Sequence, residues 1–199
     1  MSSYPIPNVI ARHPRGDRVL DVYSHLLTER VVYLGTAIDA GVANALVAQL
    51  LFLEAEDPDR EIQFYVNCEG GDPSAMLAVH DTMTYIRPTV ATTCVGQAVA
   101  VGAVLLASGA AGKRAALPHA RVVLHQPAAQ GRGTIPDLIL QADEVVRVRN
   151  DIEQILSRHS GQKVARLRAD TDLDRVFTAE DARDYGLIDH VISERPPPH

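Results

Sequence analysis

Three short stretches of the chain place residues where chemistry could occur. Gly70-Gly71 falls between a strand pattern, EIQFYVN (61–67), and a helix start at Asp72-Pro73. Paired glycines there let the backbone approach a ligand closely and leave N–H groups free where a helix opens. The second stretch, GQAVAVGAVLLASG (96–109), runs from a glycine-rich turn into an apolar helical repeat. A nucleophile at such a strand–turn–helix junction is exposed in the positive field of the first turn. The residue at that junction is Ala100, which has no reactive atom. The third is His125, which ends the strand pattern RVVLH and is followed by Gln126-Pro127. A histidine at a strand end can serve as general base or acid near neutral pH. Each stretch also has a plain structural reading: a tight turn, close helix–sheet packing, and a strand-end imidazole. Taken singly, the plain readings carry more weight.

The elements that must position these residues alternate between strand and helix. RVVYLG (30–35), EIQFYVN (61–67), VATTCV (90–95), RVVLH (121–125) and LIDHVIS (187–193) read as strands. Residues 40–56 carry apolar groups at helical spacing behind Asp39 as N-cap. Asp72 and Pro73 give a cap and a first-turn proline for a helix reaching about Ile86. The stretch 96–109 is predicted as a helix. A long amphipathic helix spans about 137–159, and Thr178 to Asp181 resembles a capping box before a short helix ending at Gly186. This order predicts one α/β domain, about 19–193, with largely parallel strands and right-handed crossovers. Residues 1–18 are expected to be a mobile segment and 194–199 a flexible tail.

Bulk properties exclude several classes. With 46% hydrophobic and 22% charged residues, 199 residues can bury a real core. A net charge of −6 lacks the basic face that phosphate neutralisation needs, so nucleic acid is not an expected partner. No apolar run is long enough to span a membrane, and the N-terminus lacks the apolar core of a secretory signal. Cys68 and Cys94 are too few for a disulfide scaffold and lack metal-ligand spacing. A cytoplasmic protein without metal or cofactor is the expectation. Cys68 reads as a buried structural thiol and Ser74 as helix surface.

The order and spacing of these stretches resemble the proteolytic subunits of Clp proteases, serine peptidases related in fold to the crotonases. The resemblance rests on RGDRVLDVYSHLLTERVVYLG, VAQLLFLEAEDPDREI, the turn VNCEGG, GQAVAVGAVLLASGAAGKRAALPHARVVLHQP and FTAEDARDYGLID. It covers about Arg15 to Ser193 and implies a crotonase-like α/β domain whose long helix protrudes as a handle. Residue by residue, the resemblance sets the catalytic histidine on His125 and the aspartate on Asp174, in DTDLDRVF. The nucleophilic serine falls on Ala100, and the oxyanion donors become the backbone N–H groups of Gly71 and Val101. It further implies heptameric rings stacked as a tetradecamer, unfolded polypeptide as substrate, and a partner AAA+ unfoldase. The unfoldase would dock loops in a pocket that includes Gln63, Tyr65 and Tyr85. This chain has no G-x-x-x-x-G-K-[ST] phosphate loop, so ATP use would lie on the unfoldase.

Four departures from the family pattern matter. Ala100 removes the attacking atom, either as an inactivating substitution or in a paralogue that works within a mixed ring. Cys68-Glu69 replaces Ser-Pro before the paired glycines, placing a carboxylate beside the substrate strand or simply in water. Gln63 stands where an aromatic is common. Leu173 replaces an arginine that reports ring contact, and leucine cannot make the bonds of a guanidinium fork. Two functions stay open: a peptidase subunit inactive as it stands, or a structural and regulatory subunit of a mixed Clp assembly. An acyl-CoA enzyme of crotonase type is opposed by HQP and the His125–Asp174 pair.

Overall fold

A computed structural model describes residues 5–11, 16–126 and 133–194. Pro127, expected to end a strand, lies outside them, as do residues 195–199 of the expected tail. The elements in chain order are β1 (Asn8–Ala11), β2 (Arg18–Asp21), α1 (Val22–Thr28), β3 (Val31–Leu34), α2 (Ala40–Glu56) and β4 (Ile62–Cys68). They continue through α3 (Pro73–Tyr85), β5 (Val90–Val99), α4 (Val101–Ala107), β6 (Arg114–Ala116), β7 (Arg121–Leu124) and α5 (Ile135–Ser160). The chain closes with α6 (Val164–Asp170), β8 (Arg175–Thr178), α7 (Ala179–Tyr185) and β9 (His190–Val191).

A seven-stranded sheet carries the fold. β3, β4, β5, β6 and β9 lie side by side in parallel, which the strand–helix alternation demands. β4 alternates buried and half-buried residues along its length, with Ile62, Phe64, Val66 and Cys68 inward. α2 and α3 bury Leu46, Leu50, Leu53, Met76 and Val79 in the same core. Asp39 and Asp72 cap these helices by accepting from the Val42 and Ala75 N–H groups, and Pro73 occupies the first turn of α3.

β5 is the strand that departs from expectation. Its first part, Thr92–Cys94, pairs with β6, while its end, Gln97–Val99, pairs with β7. The sheet therefore forks near Gly96, where a Cβ would come within 2.6 Å of Asn67 Oδ1. The helix predicted to begin at 96 begins only at Val101, because residues 97–99 find ladder partners in Arg121–Val123. β8 then pairs antiparallel with β7, the exception in an otherwise parallel sheet. Within the segment expected to be mobile, Asn8–Ala11 pairs antiparallel with Arg18–Asp21.

α5 runs 26 residues, about 39 Å at 1.5 Å per residue. Asp137 accepts from the N–H and hydroxyl of Thr134 to open it, and Gly161, at φ 73°, closes it. Its first half exposes Ile135, Leu138, Ile139 and Leu140, whereas its second half buries Val148, Ile152, Ile155 and Leu156. A row of exposed apolar residues on one projecting half requires a partner to cover it. No described helix is long and apolar enough to cross a membrane.

One buried arginine ties the C-terminal elements together. Arg114, on β6, donates to the Ala107, His159 and Gly186 carbonyls and forks onto Asp189, with bonds of 2.9 and 2.5 Å. The Arg114 fork holds the Asp189 carboxyl below the usual range against the opposing effect of burial. That contribution is present above the unfolded aspartate pKa, about 4, and is lost as pH falls below it. Arg114→Met should cost about 1–3 kcal/mol in urea unfolding, because it leaves the half-buried Asp189 carboxylate with the residue-114 N–H alone and takes the donor from the Ala107, His159 and Gly186 carbonyls. Adding Asp189→Asn should recover part of the loss.

Candidate active site

Ala100 sits between β5 and α4 at φ 50° and ψ −107°, a conformation that costs an ordinary residue about 1–3 kcal/mol. Its neighbours hold it there. The Ala100 N–H donates to the Val123 carbonyl at 2.8 Å, and its own carbonyl accepts from Ala103 and Val104. The N–H groups of Val101 and Gly102 precede those first helical donors and have no partner within the helix. Such a strained turn projects the Cβ of residue 100 out of the sheet, the arrangement of a nucleophile elbow.

Gly71 approaches the same turn from β4. At φ 137°, it bridges Ile38, whose carbonyl accepts from Asp72 at 2.7 Å and whose N–H donates to Gly70 at 2.9 Å. A Cβ on Gly71 would lie 2.2 Å from the Ile38 oxygen, so only glycine fits. Cys68 lies beneath this turn, buried, with Sγ 3.2 Å from the Gly70 carbonyl. Burial pushes its thiol pKa up, and its Cβ would clash with any side chain at Gly102. It packs the turn and is no nucleophile. Glu69 and Ser74 are exposed.

A cavity of about 140 Å³ unites Gly71, Ala100, Val101 and His125, four of the predicted site residues. Pro73, Val104, Leu124, Ile152 and Leu156 complete its walls. The contributions of α5 were missed in the sequence, although the apolar face of that helix was visible. His125 follows β7 and holds Nδ1 2.7 Å from the Gln126 carbonyl. Leu124 and Arg175 are the last ladder pair of β7 and β8, so one further step of the same register sets His125 opposite Asp174. That step is not closed. Asp174 is exposed and makes no hydrogen bond or ion pair among the described residues, and Leu173 beside it is 83% exposed.

The residues flanking Asp174 are firmly held. Arg175 pairs with Asp170 and lies over the rings of Phe177 and Tyr185, 4.9 and 5.1 Å from their centroids. The Tyr185 hydroxyl donates to Asp170 at 2.6 Å. Burial opposes charge on Asp170, but Tyr185, Arg175 and Arg166 outweigh it and keep its carboxyl below the usual range. On the other side, Arg149 of α5 reaches Asp172 at 3.5 Å and Glu153 at 2.8 Å. The longer of these ion pairs, without a hydrogen bond, links the segment before Asp174 to α5.

The predicted docking residues are not united within one chain. Gln63 and Tyr65 share the half-buried face of β4, opposite its core face, while Tyr85 ends α3 and is 81% exposed. Gln63 donates to Glu61 at 2.6 Å, and Glu61 pairs with Lys113. Among the described residues, no group of three or more His, Cys, Asp or Glu could hold a metal ion.

Both glycines of the turn have positive φ, but only Gly71 faces backbone. Gly70→Ala should cost about 1–3 kcal/mol from its φ alone. Gly71→Ala should lower the melting temperature clearly further, as read by scanning calorimetry. Equal costs would show that the Ile38 contact is not what fixes this turn.

Comparison with known proteins gives the family of the chain. The Clp protease family model matches residues 14–195. The chain is 71% identical to the ATP-dependent Clp protease proteolytic subunit 1 of Nocardia farcinica, over 98% of this chain and all of that one. It is 57% identical to proteolytic subunit 4 of Rhodococcus jostii, over 97% of this chain and all of the relative. With proteolytic subunit 2 of Streptomyces avermitilis it shares 53% identity over 98% of both chains. With nine-tenths of its length matched and its strand–turn–helix site in place, the chain belongs to the Clp protease family.

Proposed function

We propose that this chain is a proteolytic-chamber subunit of an ATP-dependent Clp protease, built as a serine endopeptidase site and lacking its nucleophile at Ala100. The observation that carries the reading is the single cavity joining Gly71, Ala100, Val101 and His125. A serine at position 100 would attack a peptide carbonyl from the strained turn. His125 would take its proton and return it to the leaving amine, and the N–H groups of Gly71 and Val101 would receive the developing oxyanion. Asp174 would fix the imidazole tautomer once Nδ1 turns from the Gln126 carbonyl toward it. Backbone donors do not depend on the side chain at position 100, so the hole survives the alanine.

The proposed partners are other Clp subunits in heptameric rings, an AAA+ unfoldase and unfolded polypeptide, in the cytoplasm. The exposed apolar half of α5 supports ring stacking, and a pocket combining Gln63 and Tyr65 with Tyr85 would draw on two neighbouring chains. Because Gln63 is tied to Glu61 and Lys113, this pocket is more polar than an aromatic one. Gln63→Tyr should therefore tighten unfoldase binding several-fold in a titration, and unchanged affinity would refute the weaker-docking reading.

A second reading is favoured by the open His125–Asp174 step and by exposed Leu173: a structural or regulatory subunit that shapes a mixed ring. Hydrolysis of a fluorogenic peptide by the Ala100→Ser variant separates the two. Activity should appear with serine and vanish again when His125→Ala is added, since losing the nucleophile alone costs on the order of 10⁶ in rate. Absence of activity, alone and with a paralogous ring, would assign the chain to the regulatory role.

A further inference from the structure

Away from the turn at Ala100, two imidazoles meet between α3 and the C-terminal end of α5. His80 lies on the buried face of α3, only 5% exposed, and His159 is half-buried one turn beyond Leu156. Their rings pack edge to face, with centroids 6.1 Å apart and planes at 81°. His80 Nδ1 is 3.0 Å from the exposed Asp81 carboxylate. Its other nitrogen, Nε2, is buried and has no hydrogen-bond partner among the described residues. With Nδ1–H donating to Asp81, Nε2 carries only a lone pair and meets no donor.

The charges facing this pair from the neighbouring elements are mainly positive. Arg114 of β6 donates to the His159 carbonyl at 2.8 Å and is itself neutralised by Asp189, while Arg158 precedes His159 on α5. Asp81, at the surface, is the acid on the α3 side. Burial, then His80, then Arg114 and Arg158 hold the His159 imidazole below its ordinary pKa. The same two helices wall the candidate cavity, α3 through Pro73 and α5 through Ile152 and Leu156.

We propose that His80 and His159 form an acid-sensitive latch holding the end of α5 against α3, and that proton uptake releases it and loosens the cavity wall made by Ile152 and Leu156. An imidazolium at His159 would sit in this partly dry contact against the His80 ring, with Arg114 and Arg158 opposing its charge. The sign follows from the depressed value. Above the unfolded histidine pKa, about 6.5, both states are neutral and the latch is intact. As pH falls below that, the unfolded chain binds the proton first and stability drains away. The latch does not depend on whether the site cleaves peptide.

The test compares the full chain with its His80→Phe variant at about pH 7.5 and about pH 5.5, either side of the imidazole range. Hydrogen–deuterium exchange, corrected for intrinsic rates, should show residues 152–160 protected at neutral pH and losing about tenfold or more of that protection in acid. The parent's melting temperature should fall by about 3–5 °C for each pKa unit separating folded and unfolded forms. In His80→Phe the protection should persist and the fall should shrink. His159→Gln, at a half-exposed position, gives the same readout if the phenylalanine variant does not fold. An identical acid response in parent and variants, or protection lost evenly along the chain, would overturn the latch.

Discussion

The bend in β5 at Gly96 is the constraint on which the rest of the molecule depends. A straight strand would carry its pairing with β6 to its end and leave β7 without a place, whereas β5 keeps β4 through Cys68–Ala98 after a register shift. By turning where Asn67 Oδ1 occupies the space of a Cβ, β5 gives its last three residues to β7. That transfer puts Val123 where its carbonyl can pin the Ala100 N–H, and puts His125 one residue beyond the ladder, facing the same turn. Asn67 also accepts from the Gln97 N–H at 3.3 Å, so one side chain both forces the bend and satisfies the backbone it exposes.

Much of this was legible because local rules and global packing agree. The caps at Asp39, Asp72 and Thr178, the alternation in 61–67 and the apolar face of the handle helix each predict elements the structure contains. The short pieces were not legible. β6 has three residues, too few for any period to show, and exists because its neighbours supply hydrogen bonds, while the strand expected over 187–193 keeps only His190-Val191. The helix predicted from 96 lost four residues to a strand for the same reason. At the site, Gly71, Ala100 and His125 could be read from type and position. Asp174 came only from resemblance, because an aspartate in an acidic loop carries no local signal. Ile152 and Leu156 show that a wall built by a distant helix cannot be placed until the topology is known.

The two ends of the candidate triad are held by different means. His125 is positioned by the interior of the sheet, through β7 and the fork of β5. Asp174 is positioned from outside, by Arg175 with its aromatic platform on one side and by Arg149 reaching Asp172 from α5 on the other. α5 thus reaches both ends of the site, through Arg149 to Asp172 and through Ile152 and Leu156 to the cavity that His125 lines. The ring stacking proposed above, if it uses the exposed apolar half of α5, would act on that ion pair as well as on the cavity wall. The single chain holds His125 and Asp174 in register without joining them.

The strain at residue 100 sharpens the meaning of the alanine. A positive φ costs alanine as much as it would cost serine, and no side-chain bond compensates. Glycine would relieve the strain. The turn persists because three backbone hydrogen bonds, from Ala100 to Val123 and from Ala103 and Val104 to Ala100, over-determine it. On the proposed reading, the oxyanion donors would thus be built by the fold and not by the nucleophile. On that reading the chain would retain the means to hold a peptide carbonyl while lacking the atom that would cut it, and binding and cleavage would be separable by a single oxygen atom.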